Sequence, residues 1–137
     1  MITGIAHTAF RVQDLNESIE FYTRILGLKE AFRLHRNGQP WLVYLRVNAN
    51  TFVELFPEGK ERVQISADSI GFVHLCFHVD DIFTTLDRLR EQGLECPGEP
   101  RMGEDGNWQY WVKDPDGNDI ELMQIMPDSL QVKHSRL

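Results

Sequence analysis

The feature that most constrains the fold is an internal repeat. Residues 4–12 read G-I-A-H-T-A-F-R-V and residues 71–79 read G-F-V-H-L-C-F-H-V, with Gly, His, Phe and Val in register. Farther along each half an acid interrupts an apolar run, in T-F-V-E-L-F at 51–56 and in N-D-I-E-L-M at 118–123. His7 to His74 and Glu54 to Glu121 span the same 67 residues. Two equal offsets with matching residue types make the chain two copies of one plan, and a missed repeat would misread the whole fold.

Each half predicts a strand, a helix and three further strands. In the first half the strand over 4–12 is followed by a helix that Asp14 or Asn16 can cap. Leu15, Ile19, Tyr22 and Ile25/Leu26 form its apolar stripe and Gly27 ends it. The second helix starts near Asp80-Asp81, which read as caps, carries Ile82, Leu86 and Leu89, and ends at Gly93. Its helix-to-Gly segment is one residue shorter, which reads as an indel at a loop. Strands follow near 29–34, 41–47 and 51–55, and near 101–102, 108–113 and 118–126. Asn37-Gly38, Asn48-Ala49-Asn50, Asp105-Gly106-Asn107 and Asp114-Pro115-Asp116-Gly117 supply turns. The expected fold class is α+β, with two tandem βαβββ modules forming a curved mixed sheet around a concave cleft. The expected organisation is one domain over 1–126, with module 1 at about 1–63, module 2 at about 70–126, a linker over 60–70 and a loose polar tail over 127–137.

Alternation along a strand places His7, Ala9 and Arg11 on one face and Thr8, Phe10 and Val12 on the other. In the second half it places His74, Cys76 and His78 together, opposite Leu75, Phe77 and Val79. The apolar faces seat the helices and the polar faces line the cleft. Glu54 and Glu121, flanked by apolar residues, would be costly to bury alone, and a cation removes that cost. Pseudo-symmetry would bring His7, Glu54, His74 and Glu121 together. Two imidazoles and two carboxylates suit Ni or Zn foremost, and also Co, Mn or Fe. Four protein ligands on an octahedral ion leave two positions for a bidentate substrate. Neither half, with two ligands, can be a metal enzyme alone. Cys76 between His74 and His78 reads as cleft lining rather than a cage, and His78 could touch substrate. Trp41, Trp108 and Trp111 read as core or dimer contacts, and His35 and His134 as loop and tail residues.

Composition narrows the partners. The net charge of −7 argues against nucleic acid and anionic membranes. No apolar run approaches the roughly 20 residues that span a bilayer. The first residues, Met1 to His7, do not read as an export signal, so a cytoplasmic setting with Cys76 and Cys96 as free thiols is expected.

With these stretches on the page, the chain resembles the vicinal oxygen chelate superfamily of glyoxalase I, bleomycin-resistance proteins and extradiol dioxygenases. The resemblance runs from Gly4 to Met126 and rests on I-A-H-T-A-F-R-V-Q-D-L-N-E-S-I-E-F-Y-T-R-I-L-G-L, F-V-E-L-F, F-V-H-L-C-F-H-V and D-P-D-G-N-D-I-E-L. Glyoxalase I proteins carry His, Glu, His and Glu at the positions of His7, Glu54, His74 and Glu121. Metal-dependent epimerases of the family typically have Gln at the second of these. The resemblance implies paired modules, a homodimer and a lactoylglutathione lyase reaction. In that reaction a hemithioacetal of glutathione and methylglyoxal chelates the metal, which stabilises an enediolate while a carboxylate moves the proton. Glu121 is the first choice of base and Glu54 the second. Arg11 matches an arginine that would contact an anionic substrate group, with an ordinary ion pair as its plainer reading. The chain departs from the pattern at Glu58, where glyoxalase I has an asparagine for glutathione, and in the acidic, aromatic stretch 104–111. Both departures bear on substrate, which could be another thiol adduct. A non-catalytic small-molecule-binding protein is the alternative, although sequestration needs no buried carboxylates. An Fe(II) dioxygenase is a third reading, and it leaves Glu54 as an unneeded acid.

Overall fold

A computed structural model describes residues 1–135. The chain divides into two compact units, Met1–Gln64 and a second that starts at Ile65, so the division falls inside the expected linker.

In the first unit β1 (His7–Arg11) leads to helix α1 (Leu15–Glu20), and a π-helical turn (Phe21–Ile25) continues it. Then come β2 (Lys29–Arg36), β3 (Gln39–Arg46) and β4 (Phe52–Phe56). The sheet order is β1-β4-β3-β2, with β1 parallel to β4 and the other pairs antiparallel. In the second unit β5 (Leu75–His78), α2 (Ile82–Glu91), β6 (Arg101–Met102), β7 (Trp108–Lys113) and β8 (Asp119–Gln124) repeat the plan in the order β5-β8-β7-β6. Each unit thus has its own mixed four-stranded sheet, as an α+β reading expects. The register repeats as well: Ala9 faces Glu54 and Cys76 faces Glu121 across the parallel pairs. No helix of the described residues is long and apolar enough to cross a membrane.

Local chemistry explains the elements. Asp14, not Asn16, caps α1 by accepting from the amides of Asn16 and Glu17. Asp81, not Asp80, caps α2 by accepting from Thr84. Gly27 and Gly93 follow the two helices in the left-handed region, at φ 86° and 87°. Asn37 and Gly38 both have positive φ, as a tight two-residue hairpin needs. β1 is shorter than the expected strand because its ladder with β4 begins at the His7–Phe52 pair, and before it the Ile5 carbonyl accepts from the Thr51 hydroxyl instead.

The one-residue difference between the helices is not a loop indel. The π-helical turn absorbs it, with Leu26 N–H donating to the Phe21 carbonyl five residues back. The wider turn carries both Phe21 and Tyr22 into the core, while Leu15 and Ile19 of the expected stripe are only half-buried. In the second unit Ile82, Leu86 and Leu89 are buried as expected. Ser18 is fully buried and its hydroxyl finds no partner among the described residues. Ser18→Ala is therefore expected to stabilise the protein by up to about 1 kcal/mol, read as a higher denaturation midpoint with unchanged slope. A lower midpoint would refute this.

Within the expected loose tail lies a short helix. Ser129 caps α3 (Leu130–His134), and Leu130 N–H donates to the Asp105 carbonyl. Polar composition hid this, because the helix is held by side-chain hydrogen bonds rather than an apolar stripe. His134 lies on that helix, and His35 lies in β2 rather than in a loop. Arg136 and Leu137 lie outside the described residues.

Candidate metal half-sites

Each sheet places one imidazole beside one carboxylate. In the first unit Glu54, at the middle of β4, is 6% exposed, and its Oε2 lies 3.4 Å from Nε2 of His7 at the start of β1. In the second unit Glu121, on β8, is 4% exposed, and its Oε2 lies 3.1 Å from Nε2 of His74, just before β5. Both carboxylates sit between buried neighbours, Val53 and Leu55 or Ile120 and Leu122. Metal–ligand bonds of about 2.0–2.2 Å place adjacent donors roughly 3.0–3.5 Å apart around an octahedral or tetrahedral ion. The two His–Glu separations fall on that edge length, so each pair fits two neighbouring positions of one coordination shell. Among the described residues no group of three His, Cys, Asp or Glu gathers to hold an ion. Each unit by itself offers two ligands.

The half-sites share a third member that the sequence reading passed over. Tyr44 faces Glu54 across β3–β4, and Trp111 faces Glu121 across β7–β8. Their rings meet the imidazoles edge-on, His7–Tyr44 at 5.7 Å and His74–Trp111 at 4.7 Å between centroids. The signal was available, because Tyr44 and Trp111 are also 67 residues apart. Trp111 is 46% exposed, so of the core and dimer-contact readings it does not meet the first. Trp41 lies under the Arg36 guanidinium, and Trp108 meets Phe83 edge-on.

The surroundings of the two carboxylates differ. Desolvation first, then the Glu54 carboxylate that it faces, raises the Tyr44 phenol above its ordinary range. Glu121 instead has the Cys76 thiol beside it. Desolvation, then the Glu121 charge, pushes that thiol up to about 12, so it stays protonated at neutral pH. Nδ1 of His74 is buried with no partner among the described residues, so this half-site is unsatisfied within its own unit.

Arg11, at the end of β1, donates from Nη1 to the Pro57 carbonyl at 2.9 Å and lies over the Phe56 ring. Among the described residues no carboxylate pairs with it. His78 is exposed at the end of β5, opposite Met123. Glu58 is exposed and adopts φ 67°, a left-handed backbone that Asn adopts more readily. The acidity of 104–111 is partly structural: Asp105 accepts from the backbone and side-chain amides of Asn107 and from Gln109. Gly103 allows this, since a Cβ there would lie 2.5 Å from the Gln109 amide nitrogen and 2.6 Å from Oδ1 of Asp105.

The profile of the Glyoxalase/Bleomycin resistance protein/Dioxygenase superfamily matches residues 4–122. A Synechocystis protein named "Probable lactoylglutathione lyase" is 32% identical over 126 residues, covering 88% of this chain and 94% of its own. A Vibrio cholerae protein of the same name is 33% identical over 126 residues, covering 88% and 89%. The crystal structure of the glyoxalase family protein from Enterococcus faecalis superimposes with a TM-score of 0.75 at 26% identity, covering 88% of this chain and 97% of that one.

Proposed function

The chain belongs to the Glyoxalase/Bleomycin resistance protein/Dioxygenase superfamily, and on that premise we propose that it is a metal-dependent lyase of the glyoxalase I type. The observation that carries the reading is a buried glutamate with a histidine against it, built twice in one register, Glu54 with His7 and Glu121 with His74. The similarity to proteins named as lactoylglutathione lyases supports it. The substrate is a hemithioacetal or a related compound with neighbouring oxygens, and glutathione or another thiol is its adduct partner.

The residues divide the work by their chemistry. His7, Glu54, His74 and Glu121 would hold one divalent ion, Ni or Zn foremost, and their two negative charges would neutralise it. Such an ion would supply positive charge beside a carbonyl, which acidifies the adjacent carbon-bound proton. Glu121 takes that proton from one carbon and returns it to the next. Glu54, which faces Tyr44 across the sheet, is the second candidate for this role. Arg11, which donates to the Pro57 carbonyl and has no carboxylate paired with it among the described residues, receives an anionic group of the substrate, and His78 lines the approach. A homodimer in the cytoplasm is the expected form, and the ligand pairs come from one chain or from two.

The test is elemental analysis followed by a reconstituted assay. Protein purified without chelator is expected to carry about one Ni, Zn, Co, Mn or Fe per site. Metal-loaded protein should convert the adduct of methylglyoxal with glutathione, or with another thiol run beside it, and chelated protein should not. Protein that stays empty after soaking in these metals overturns the reading.

A further inference from the structure

The two sheets repeat one plan but differ at the fourth strand. β2 runs for eight residues, whereas β6 has two. In the first sheet Glu54, Tyr44 and Phe32 stand directly opposite one another on β4, β3 and β2. In the second sheet Trp111 stands opposite Glu121, but β6 pairs only with Trp108 and Gln109, so among the described residues no strand residue continues that row. Neighbouring strands lie about 4.8 Å apart, which puts the backbone of Phe32 roughly 10 Å from that of Glu54. The row between them is aromatic. Phe32 stacks on Tyr44 at 4.5 Å and 17°, and Tyr44 meets Phe52 edge-on at 5.8 Å. Leu34, two residues along β2, shares the face of Phe32. This surface does not serve the core. Val43, Leu45, Val53 and Leu55 are buried on the opposite face, while Phe32 is 46% exposed and Leu34 42%. An edge strand ordinarily carries charge where it meets water, and contiguous apolar surface left exposed beside a polar site marks a place for a ligand.

Resting on the metal-dependent reading above, we propose that the Tyr44–Phe32 row is a floor for a flat aromatic group of the substrate, and that Phe32 selects for that group. A compound held beside Glu54 through neighbouring oxygens reaches this floor with a single ring attached next to them. A flat ring gains there by offset stacking or edge-on contact, which a saturated ring of equal size cannot match. The charged peptide chain of glutathione gains nothing, because polar groups laid on an apolar floor lose water without finding hydrogen bonds. The substrate class is therefore a vicinal-oxygen compound bearing an aryl group, on the aldehyde-derived carbon or on the thiol sulfur.

The test is calorimetric binding of three hydroxamates, which chelate through two neighbouring oxygens, to protein whose metal content has been measured. Acetohydroxamate carries no ring, benzohydroxamate a flat one and cyclohexanecarbohydroxamate a saturated one of similar size. The proteins compared are the parent, Phe32→Leu and Phe83→Leu. Phe83 is a comparably exposed ring on α2, and it serves as the control. The parent should bind benzohydroxamate about tenfold tighter than acetohydroxamate and about three- to tenfold tighter than the cyclohexyl compound. Phe32→Leu keeps apolar bulk on β2, so it should melt with the parent and keep its acetohydroxamate affinity. Its preference for the flat ring over the saturated one should vanish, while Phe83→Leu retains it. Turnover of phenylglyoxal with 2-mercaptoethanol, beside methylglyoxal with phenylmethanethiol, then tells which end of the substrate bears the ring. The favoured pair should lose about tenfold in kcat/KM in Phe32→Leu. Metal-loaded parent that binds the flat and saturated rings equally, or a preference that survives in Phe32→Leu, overturns this proposal alone. So does an unchanged preference with an altered oligomeric state, which gives the Phe32 face to a second copy of the chain. A parent that takes up no metal overturns the metal reading and this proposal with it.

Discussion

Glu121→Gln is expected to lower kcat by about three orders of magnitude while leaving the protein folded and able to take up metal. General acid–base catalysis by a positioned side chain contributes roughly 10²–10⁴-fold. The carboxamide matches the carboxylate in shape, so the buried position between Ile120 and Leu122 is filled as before. It cannot accept a proton at neutral pH. Its oxygen can still face Nε2 of His74, as the Glu121 oxygen does at 3.1 Å. Steady-state kinetics at matched metal content, beside Glu54→Gln, decide the matter. A Glu121→Gln protein that keeps kcat within about tenfold assigns proton transfer elsewhere, with Glu54 the first alternative.

Asn107→Ala is expected to destabilise the second unit by about 3 kcal/mol, from several hydrogen bonds lost at one buried position. Asn107 is fully buried. Its side-chain oxygen accepts from the Met126 amide at 2.9 Å, and its nitrogen donates to Asp105 at 2.8 Å and to Gln131 at 3.3 Å. Alanine leaves the Met126 N–H without its partner, removes one of the donors to the Asp105 carboxylate and releases one tie to α3. The expected result is a midpoint lowered by roughly 10 °C, given about 2–8 °C per kcal/mol for domains of this size. Faster amide exchange after Met126 should accompany it. A loss below about 1 kcal/mol would mean that water replaces the missing amide and that the network is not a buried one.

Much of the architecture was legible because it rests on local rules. Helix caps follow from side-chain reach, so Asp14 and Asp81 could be named as candidates, and Gly27 and Gly93 as stops. Asn37-Gly38 could be named as a turn because few residues tolerate its dihedral angles. Alternation put His7 and Arg11 opposite Phe10, and the burial of Phe10 agrees. The π-helical turn escaped, because a one-residue insertion looks the same in sequence whether a loop or a helix absorbs it. Helix α3 escaped because its support comes from Asp105, Asn107 and Ser129, and such polar ties leave no periodic signature.

The sequence by itself determined the repeat, and with it the pairing of His7 with His74 and Glu54 with Glu121 under one offset. Repetition is a one-dimensional property, and side-chain alternation converts it directly into shared faces. Only the tertiary structure decided which side chains stand against those pairs. It set Tyr44 against Glu54, set Trp111 and the Cys76 thiol against Glu121, and left Arg11 with a carbonyl instead of a carboxylate. The physical reason is that strand register fixes which residues oppose one another across a sheet. Register follows from the packing of whole faces and the reach of turns, so no single stretch of chain records it.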